Sequence, residues 1–123
     1  GGEQQLVLIA RALCQQADIL VMDEPTSSLD YGNQLRVLRC VHDLSRQGYT
    51  VVLSTHDPQH ALRFSDRVLA LSGGAVAAFG ATKEVLTAEL FHRLYGVDAT
   101  LLDTAYGPAI VPKGGEDRVP LDG

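Results

Sequence analysis

Three side chains that could hydrolyse a phosphoanhydride follow two apolar segments of the sequence. Asp23 ends the apolar run 18–23 and Glu24 follows it directly. His56 comes two residues after the apolar run 50–54. A carboxylate removed from water is costly unless it is paired, hydrogen-bonded or bound to a metal. Two adjacent acids at the end of a buried segment therefore need a cause. One alternative is a strand that simply emerges into a polar loop, and Pro25 supports such an exit.

The chemistry available to these residues goes beyond that alternative. One acid can hold Mg²⁺, directly or through water, while its neighbour points the other way along an extended chain and polarises an attacking water. A histidine beside them can donate a hydrogen bond to a phosphate oxygen. Ligands in α/β sheets bind at the carboxyl ends of the strands, and both apolar runs deliver polar groups there. Asp23, Glu24 and His56 are therefore the candidate catalytic and metal-binding residues.

A strand, a helix and a second strand must position these side chains. The run 18–23 is apolar without alternation, which is typical of a strand covered on both faces. Apolar residues recur at helical spacing from about 32 to 46, and Gly48 is well placed to end that helix. Residues 50–54 are predicted to form a second buried strand. Short links between these elements predict a βαβ unit with parallel strands and a right-handed crossover.

The flanking segments carry helix and hairpin signals. Residues 3–15 are rich in helix formers. Asp57 before Pro58 is an N-cap signal for a helix to about residue 64. Two strands are predicted around residues 73–74, which are both glycine. Thr82 and Thr87 could each cap a short helix, and Gly96 could end the second one. The polar segment 113–123 is predicted to be a disordered tail.

Composition limits the other possibilities. With 123 residues the chain forms one domain at most, and its net charge is −5. Its 10 Lys and Arg residues form no cluster, so a nucleic-acid partner is not expected. No apolar stretch approaches the roughly 20 residues needed to span a bilayer. Cys14 and Cys40 lack the paired spacing of a zinc or redox site, which favours two free thiols and leaves a disulfide open.

Three stretches in register resemble the second half of the nucleotide-binding domain of an ATP-binding cassette (ABC) transporter. They are GGEQQLVLIARAL from residue 1, ILVMDEPTSSLD from residue 19 and STHD from residue 54. The resemblance implies a partial P-loop NTPase fold of the α/β class, with a parallel βαβ core followed by a β-hairpin and short helices over residues 1–112. It also implies ATP and Mg²⁺ as cofactors.

The resemblance assigns a role to each matching residue. Gly1 and Gly2, with Glu3 beside them, match the signature motif, whose backbone N–H groups bind the γ-phosphate of ATP held by a partner subunit. Asp23 matches the Walker B aspartate on Mg²⁺, and Glu24 matches the glutamate that activates water.

Two further motifs complete these assignments. Ser28, Leu29 and Asp30 match the loop that crosses the dimer interface. His56 matches the switch histidine at the γ-phosphate.

The sequence also departs from the family pattern. Leu6 stands where many members carry Arg, and the Leu-Ser that precedes the signature glycines is not present. Nothing matches G-x-x-x-x-G-K-[ST], the loop that cradles the phosphates. The resemblance therefore covers the C-terminal part of a cassette, and we expect these 123 residues alone to be inactive.

Residues 56–102 are similar to importers of iron-siderophores, haem and cobalamin. This resemblance implies an ATP-hydrolysing subunit that powers import. Its partners would be membrane-spanning permease subunits, a second copy in a head-to-tail homodimer and, indirectly, a substrate-binding protein. It would lie peripherally on the cytoplasmic face of the inner (plasma) membrane.

Two other functions remain open from the sequence. ABC-type ATPases of translation or DNA repair share these motifs without a transport role, although their partners favour basic surfaces. His56 and His60 are four residues apart, as in an H-x-x-x-H zinc hydrolase. Against the zinc site, the helix predicted from Pro58 begins after His56, and Asp57 replaces the glutamate of H-E-x-x-H.

Overall fold

The computed structural model of the protein describes Ile9, Arg11 and residues 18–114. The chain divides into two units, Gly1–Phe64 and Ser65–Gly123. Of the helix predicted over residues 3–15, only Ile9 and Arg11 are described, and both are helical. Of the predicted tail, residues 113 and 114 have no regular structure, and the remainder lies outside the described residues. No helix among the described residues is long and apolar enough to cross a membrane.

The first unit contains the predicted strand, helix and strand. Its described elements are β1 (Ile19–Met22), α1 (Tyr31–Arg46), β2 (Thr50–Leu53) and α2 (Pro58–Phe64). β1 and β2 pair in parallel, with Ile19 opposite Thr50 and Met22 opposite Leu53. The prediction of a parallel pair joined by a helix is confirmed.

The core of this unit lies between α1 and one face of the β1–β2 pair. The buried residues that cluster there are Ile9, Leu20, Leu29, Val37, Val41 and Leu44. The apolar spacing along α1 places the last three of them on one side of the helix. Cys40 is a half-buried free thiol that packs against the cluster, and Cys14 lies outside the described residues.

The expectation that β1 is covered on both faces is wrong for the described chain. Side chains alternate along a strand, so Leu20 faces the core while Ile19 and Val21 point the other way. Ile19 is 61% exposed and Val21 is 76% exposed. The apolar run suits a strand buried on two sides, but α1 and its core cover only one of them. The expectation that β2 is buried is also wrong for the described chain, since none of its residues is buried and Val52 is 53% exposed.

The ends of both helices follow their predicted signals. Gln47 caps α1, and Gly48 follows it with a φ of 103°, a left-handed conformation that glycine adopts without steric cost. Before α2, an Asp57 carboxylate oxygen accepts the backbone N–H groups of Gln59 at 2.9 Å and of His60 at 3.3 Å. The predicted Asp57 cap and Pro58 start are therefore confirmed.

The second unit consists of two antiparallel hairpins and two short helices. Its elements are β3 (Arg67–Ser72), β4 (Ala75–Ala81), α3 (Thr82–Val85), α4 (Ala88–Tyr95), β5 (Ala99–Thr104) and β6 (Gly107–Pro112). β3 pairs with β4 around the two predicted turn glycines, and β5 pairs with β6. The β5–β6 hairpin was not predicted from the sequence.

Of the two predicted threonine caps, one is confirmed and one is wrong. The Thr87 hydroxyl accepts the N–H of Leu90 at 3.2 Å, and Gly96 ends α4 in the left-handed conformation. Thr82 does not cap α3, because Ala81 occupies the cap position. Thr82 is instead buried, and its hydroxyl donates to the Ser65 carbonyl at 2.7 Å.

Candidate active site

The candidate site lies at the carboxyl ends of β1 and β2. Asp23 and Glu24 follow β1 directly, and Ser54 follows β2. The backbone N–H of Ser54 donates to the Met22 carbonyl at 3.1 Å, so the two backbone segments stay hydrogen-bonded one residue beyond β2. Parallel pairing therefore brings the acidic pair of one strand beside the polar end of the other.

The Ser54 side chain connects the ends of these two strands. Its hydroxyl donates to Asp23 Oδ1 at 2.7 Å and accepts the backbone N–H of Glu24 at 3.0 Å. Together with its backbone bond to Met22, Ser54 hydrogen-bonds to three consecutive residues at the end of β1. This residue was not among the sequence-predicted site residues.

Glu24 has a backbone conformation that is unusual for its residue type. Its φ is 43°, and no other non-glycine residue in the described part of the chain has a positive φ. The left-handed region costs an L-residue roughly 1–2 kcal/mol, because Cβ approaches the carbonyl oxygen. A turn follows, in which the Glu24 carbonyl accepts the N–H of Ser27 at 3.2 Å. The chain thus leaves the strand abruptly at Glu24, and Pro25 at the next position is buried.

His56 reaches the side chain of Glu24. Its Nε2 contacts Glu24 Oε1 in an ion-pair geometry that carries full charge when the imidazole is protonated. The His56 side chain is 91% exposed and that of Glu24 is 35% exposed. The three sequence-predicted catalytic and metal-binding residues, Asp23, Glu24 and His56, are therefore brought together, with one face open to solvent.

The loop after the acidic pair is held by α1. Gln34 Nε2 donates to the carbonyls of Thr26 and Leu29, each at 3.2 Å, and both of these loop residues are buried. Ser28 between them is exposed. A loop anchored at both ends with an exposed middle residue can present Ser28 to another molecule.

Asp30, predicted to bind nucleotide across a dimer interface, has a structural role within this chain. Its Oδ1 accepts the N–H of Asn33 at 2.9 Å, and this bond caps α1. Such a cap contributes about 1 kcal/mol to helix stability. The other predicted nucleotide-binding residues, Gly1, Gly2 and Glu3, lie outside the described residues.

The donor set suits Mg²⁺ better than zinc. Within residues 18–114 and at Ile9 and Arg11, no group of three His, Cys, Asp or Glu side chains is arranged to hold a metal ion. Mg²⁺ does not need such a group, because it is usually held by one or two carboxylates together with waters and substrate phosphates. His56 contacts Glu24, whereas buried His60 has Asp57 Oδ2 at 3.5 Å from its Nε2. The two histidines of the zinc alternative therefore have different partners.

Comparison with known proteins adds independent information on the fold and the family. A family model described as "AAA domain, putative AbiEii toxin, Type IV TA system" matches residues 2–60. The ferric enterobactin transport ATP-binding protein FepC of Escherichia coli is 39% identical over 117 residues, which cover 93% of this chain and 43% of FepC. The hemin import ATP-binding protein HmuV of Rhodopseudomonas palustris is 42% identical over 127 residues, which cover 96% of this chain and 47% of HmuV.

A solved structure agrees with these relatives. It is described as "An inward-facing conformation of a putative metal-chelate type ABC transporter", and it matches with a TM-score of 0.81 and 33% identity. The match covers 92% of this chain and 47% of that one. The chain is homologous to the ATP-binding proteins of ABC transporters. It spans less than half the length of the two curated relatives described above.

The homology confirms the predicted resemblance to ABC transporter ATP-binding proteins and the predicted fold class. The matching solved structure is an ABC transporter, and the P-loop NTPase class of its ATPase domains agrees with the parallel β1–α1–β2 unit of this chain. The predicted similarity to iron-siderophore and haem importers is also confirmed for the homologues, since FepC and HmuV carry those names. The site residue that sequence reasoning missed is Ser54, and the signal for it is the strand register, which places the residue after Leu53 beside Asp23.

Proposed function

We propose that this chain supplies the Mg²⁺-binding and water-activating part of the ATP site in a subunit that powers a membrane importer. The observation that carries the proposal is the connected group Asp23, Ser54, Glu24 and His56 at one edge of the parallel pair. The group combines a carboxylate suited to Mg²⁺, a second carboxylate and an exposed imidazole. These are the parts that hydrolysis of a phosphoanhydride requires.

Each residue then has a separate task. Bound Mg²⁺ would neutralise charge on the phosphate oxygens, and Asp23 would hold it. Ser54 donates to Asp23 Oδ1 and so orients the carboxylate that would hold the cation. Glu24 orients a water molecule for attack on the γ-phosphorus and takes up its proton. The bond from the γ-phosphorus to the β,γ-bridging oxygen breaks, and ADP leaves with that oxygen.

His56 connects the general base to the phosphate. Its Nε2 contacts the Glu24 carboxylate, and the ring is almost fully exposed, so it is accessible to a nucleotide placed over this edge. An imidazole N–H there can donate to a γ-phosphate oxygen and stabilise the charge that develops on it. In this arrangement His56 senses whether the γ-phosphate is present.

The names of the relatives support an importer of iron-siderophore or haem, and the resemblance of residues 56–102 alone adds cobalamin. FepC is named for ferric enterobactin transport and HmuV for hemin import. The partners in this proposal are permease subunits in the membrane, a second copy of the ATPase and, indirectly, a substrate-binding protein. The subunit would lie on the cytoplasmic face of the inner membrane, and its acidic charge of −5 gives no support for a nucleic-acid partner.

Dimerisation of the complete protein tests this proposal. Gly1, Gly2, Ser28 and Asp30 are assigned to the nucleotide of the opposite subunit, so bound ATP should hold two copies together. Glu24→Gln keeps the shape of the side chain but cannot take a proton, and it should therefore accumulate the ATP-bound dimer. Sedimentation velocity with saturating MgATP should show a dimer for this variant. Glu84→Gln, which alters an exposed carboxylate on α3, should sediment like the unmodified protein. A Glu24→Gln protein that stays monomeric would contradict the head-to-tail arrangement.

A further inference from the structure

In the described part of the chain, the Ser54 side chain hydrogen-bonds to both acids of the candidate site. It lies directly after β2, and its backbone N–H, its hydroxyl proton and its hydroxyl lone pair engage Met22, Asp23 and Glu24 in turn. These three bonds join the carboxyl ends of β1 and β2. Ser54 and Asp23 are 31 residues apart in the sequence. The resemblance to ABC transporters assigned no role to this position.

The direction of each Ser54 hydrogen bond is determined by its partners. The backbone N–H of Glu24 can only donate, so Ser54 Oγ must accept it at 3.0 Å. The Asp23 carboxylate can only accept, so the single hydroxyl proton must point to Oδ1 at 2.7 Å. Both bonds use Oγ, so a change of the Ser54 χ1 rotamer would break them together. A hydroxyl of this kind fixes two groups at once.

The bond to Glu24 acts on a backbone that needs support. Glu24 has the left-handed φ of 43°, a conformation that persists only where surrounding contacts maintain it. The Ser54 hydroxyl holds the N–H of this very residue. Loss of that bond removes a specific restraint on the backbone from which the Glu24 carboxylate extends.

We propose that Ser54 is a positioning residue that sets the Asp23 carboxylate for the cation and the Glu24 backbone for water activation. The inference rests on the proposed ATPase function and deepens it. Ser54 itself does not touch the reacting atoms. It acts through Asp23 by orienting the ligand oxygen and through Glu24 by maintaining the left-handed turn. Partners of metal ligands at such positions typically change metal affinity or activity by about 10- to 100-fold when they are removed.

The test compares three variants of the complete protein at position 54. Ser54→Ala removes both hydroxyl bonds, Ser54→Thr keeps a hydroxyl, and Ser54→Cys keeps the volume with a weak donor and acceptor. The matched control is Ser45→Ala, which also removes one hydroxyl bond, the 2.6 Å bond to the His42 carbonyl within α1. ATP turnover is measured against Mg²⁺ concentration, and nucleotide binding is measured separately at equilibrium without Mg²⁺.

The proposal predicts a defined pattern. Ser54→Ala and Ser54→Cys should lower kcat and raise the Mg²⁺ concentration for half-maximal turnover, each by about 10-fold. Mg²⁺-free nucleotide binding should change by less than about 2-fold, because a positioning defect affects the transition state rather than ground-state binding. Ser54→Thr should restore both values, and Ser45→Ala should match the unmodified protein. If Ser54→Ala does not fold, Ser54→Cys carries the same prediction.

A double variant distinguishes a positioning role from a general loss of stability. If Ser54 acts on hydrolysis through Glu24, adding Ser54→Ala to Glu24→Gln should lower the residual turnover at saturating Mg²⁺ by less than about 2-fold, since the two losses are not additive. Normal kcat and Mg²⁺ dependence in Ser54→Ala, or equal losses in Ser45→Ala, would overturn the inference. If the unmodified protein hydrolyses no ATP, or Glu24→Gln retains full turnover, the proposed function itself fails.

Discussion

Two adjacent acids at the end of β1 have different surroundings, and this difference separates their roles. Asp23 is engaged through its carboxylate, which accepts the Ser54 hydroxyl. Glu24 is engaged by the same hydroxyl through its backbone, so its carboxylate remains free to contact His56. In the proposed function, this arrangement suits the first acid as a metal ligand and the second as a proton acceptor.

The role of Asp23 leads to a prediction on Mg²⁺ dependence. Asp23→Asn keeps an oxygen that can accept the Ser54 hydrogen bond but removes the charge that attracts a hard cation. In the complete protein, the Mg²⁺ concentration for half-maximal ATP turnover should rise by about 10-fold or more, and added Mg²⁺ should partly restore turnover. Asp43→Asn, at an exposed position on α1, is the control and should leave the Mg²⁺ dependence unchanged. An unchanged Mg²⁺ requirement in Asp23→Asn would remove this residue from the metal site.

At the scale of elements, the sequence predicted what local signals encode. The helical spacing of apolar residues and the glycine after it predicted α1, with its start correct to within one residue. Asp57 with Pro58 predicted the start of α2. The apolar runs gave β1 and β2 and their parallel pairing. These signals act within a few residues of the element that they specify, so they can be read without knowledge of the fold.

The features that were missed either lack a clear local signal or use contacts distant in sequence. The β5–β6 hairpin contains Gly107, Pro108 and Pro112, which are unusual in strands, and most residues of β5 are exposed and lack a clean apolar alternation. Threonine is a common N-cap residue, yet the Thr82 hydroxyl donates a hydrogen bond to the carbonyl of Ser65, 17 residues earlier. Tertiary hydrogen bonds of this kind override local preference.

The same distinction applies to the candidate site. The carboxyl ends of two apolar runs predicted that Asp23, Glu24 and His56 would converge. The contribution of Ser54 required the register, since only the pairing of Met22 with Leu53 shows that the residue after β2 lies beside Asp23. The left-handed backbone of Glu24 has no signal in its residue type, because glutamate does not favour positive φ.

At the scale of the whole molecule, one face of the parallel pair is apolar and exposed. Ile19, Val21 and Val52 are each more than half exposed on the described chain. An exposed apolar face of this kind favours association with other surfaces. We therefore expect the 123-residue chain to have low solubility when it is produced alone.

The 123-residue chain alone should not bind ATP tightly. Phosphoryl transfer depends on positioning and charge stabilisation, and the chain has no G-x-x-x-x-G-K-[ST] sequence to cradle the phosphates. A thermal-shift titration with MgATP into the millimolar range should give no saturable rise in melting temperature. A saturable stabilisation that is lost in Asp23→Ala would show that this chain has a nucleotide site of its own, contrary to the expectation.

The central claim is that the Asp23, Ser54, Glu24 and His56 group hydrolyses ATP in the complete protein. ATP turnover of Glu24→Gln, measured beside Glu84→Gln at saturating MgATP, tests this claim most directly. We predict that Glu24→Gln loses turnover by about 100-fold or more, as is typical when a general base is removed, because the amide cannot accept a proton from water. Glu84→Gln should retain the turnover of the unmodified protein. Near-normal turnover in Glu24→Gln would contradict the account, since it would leave the water-activating role without its residue.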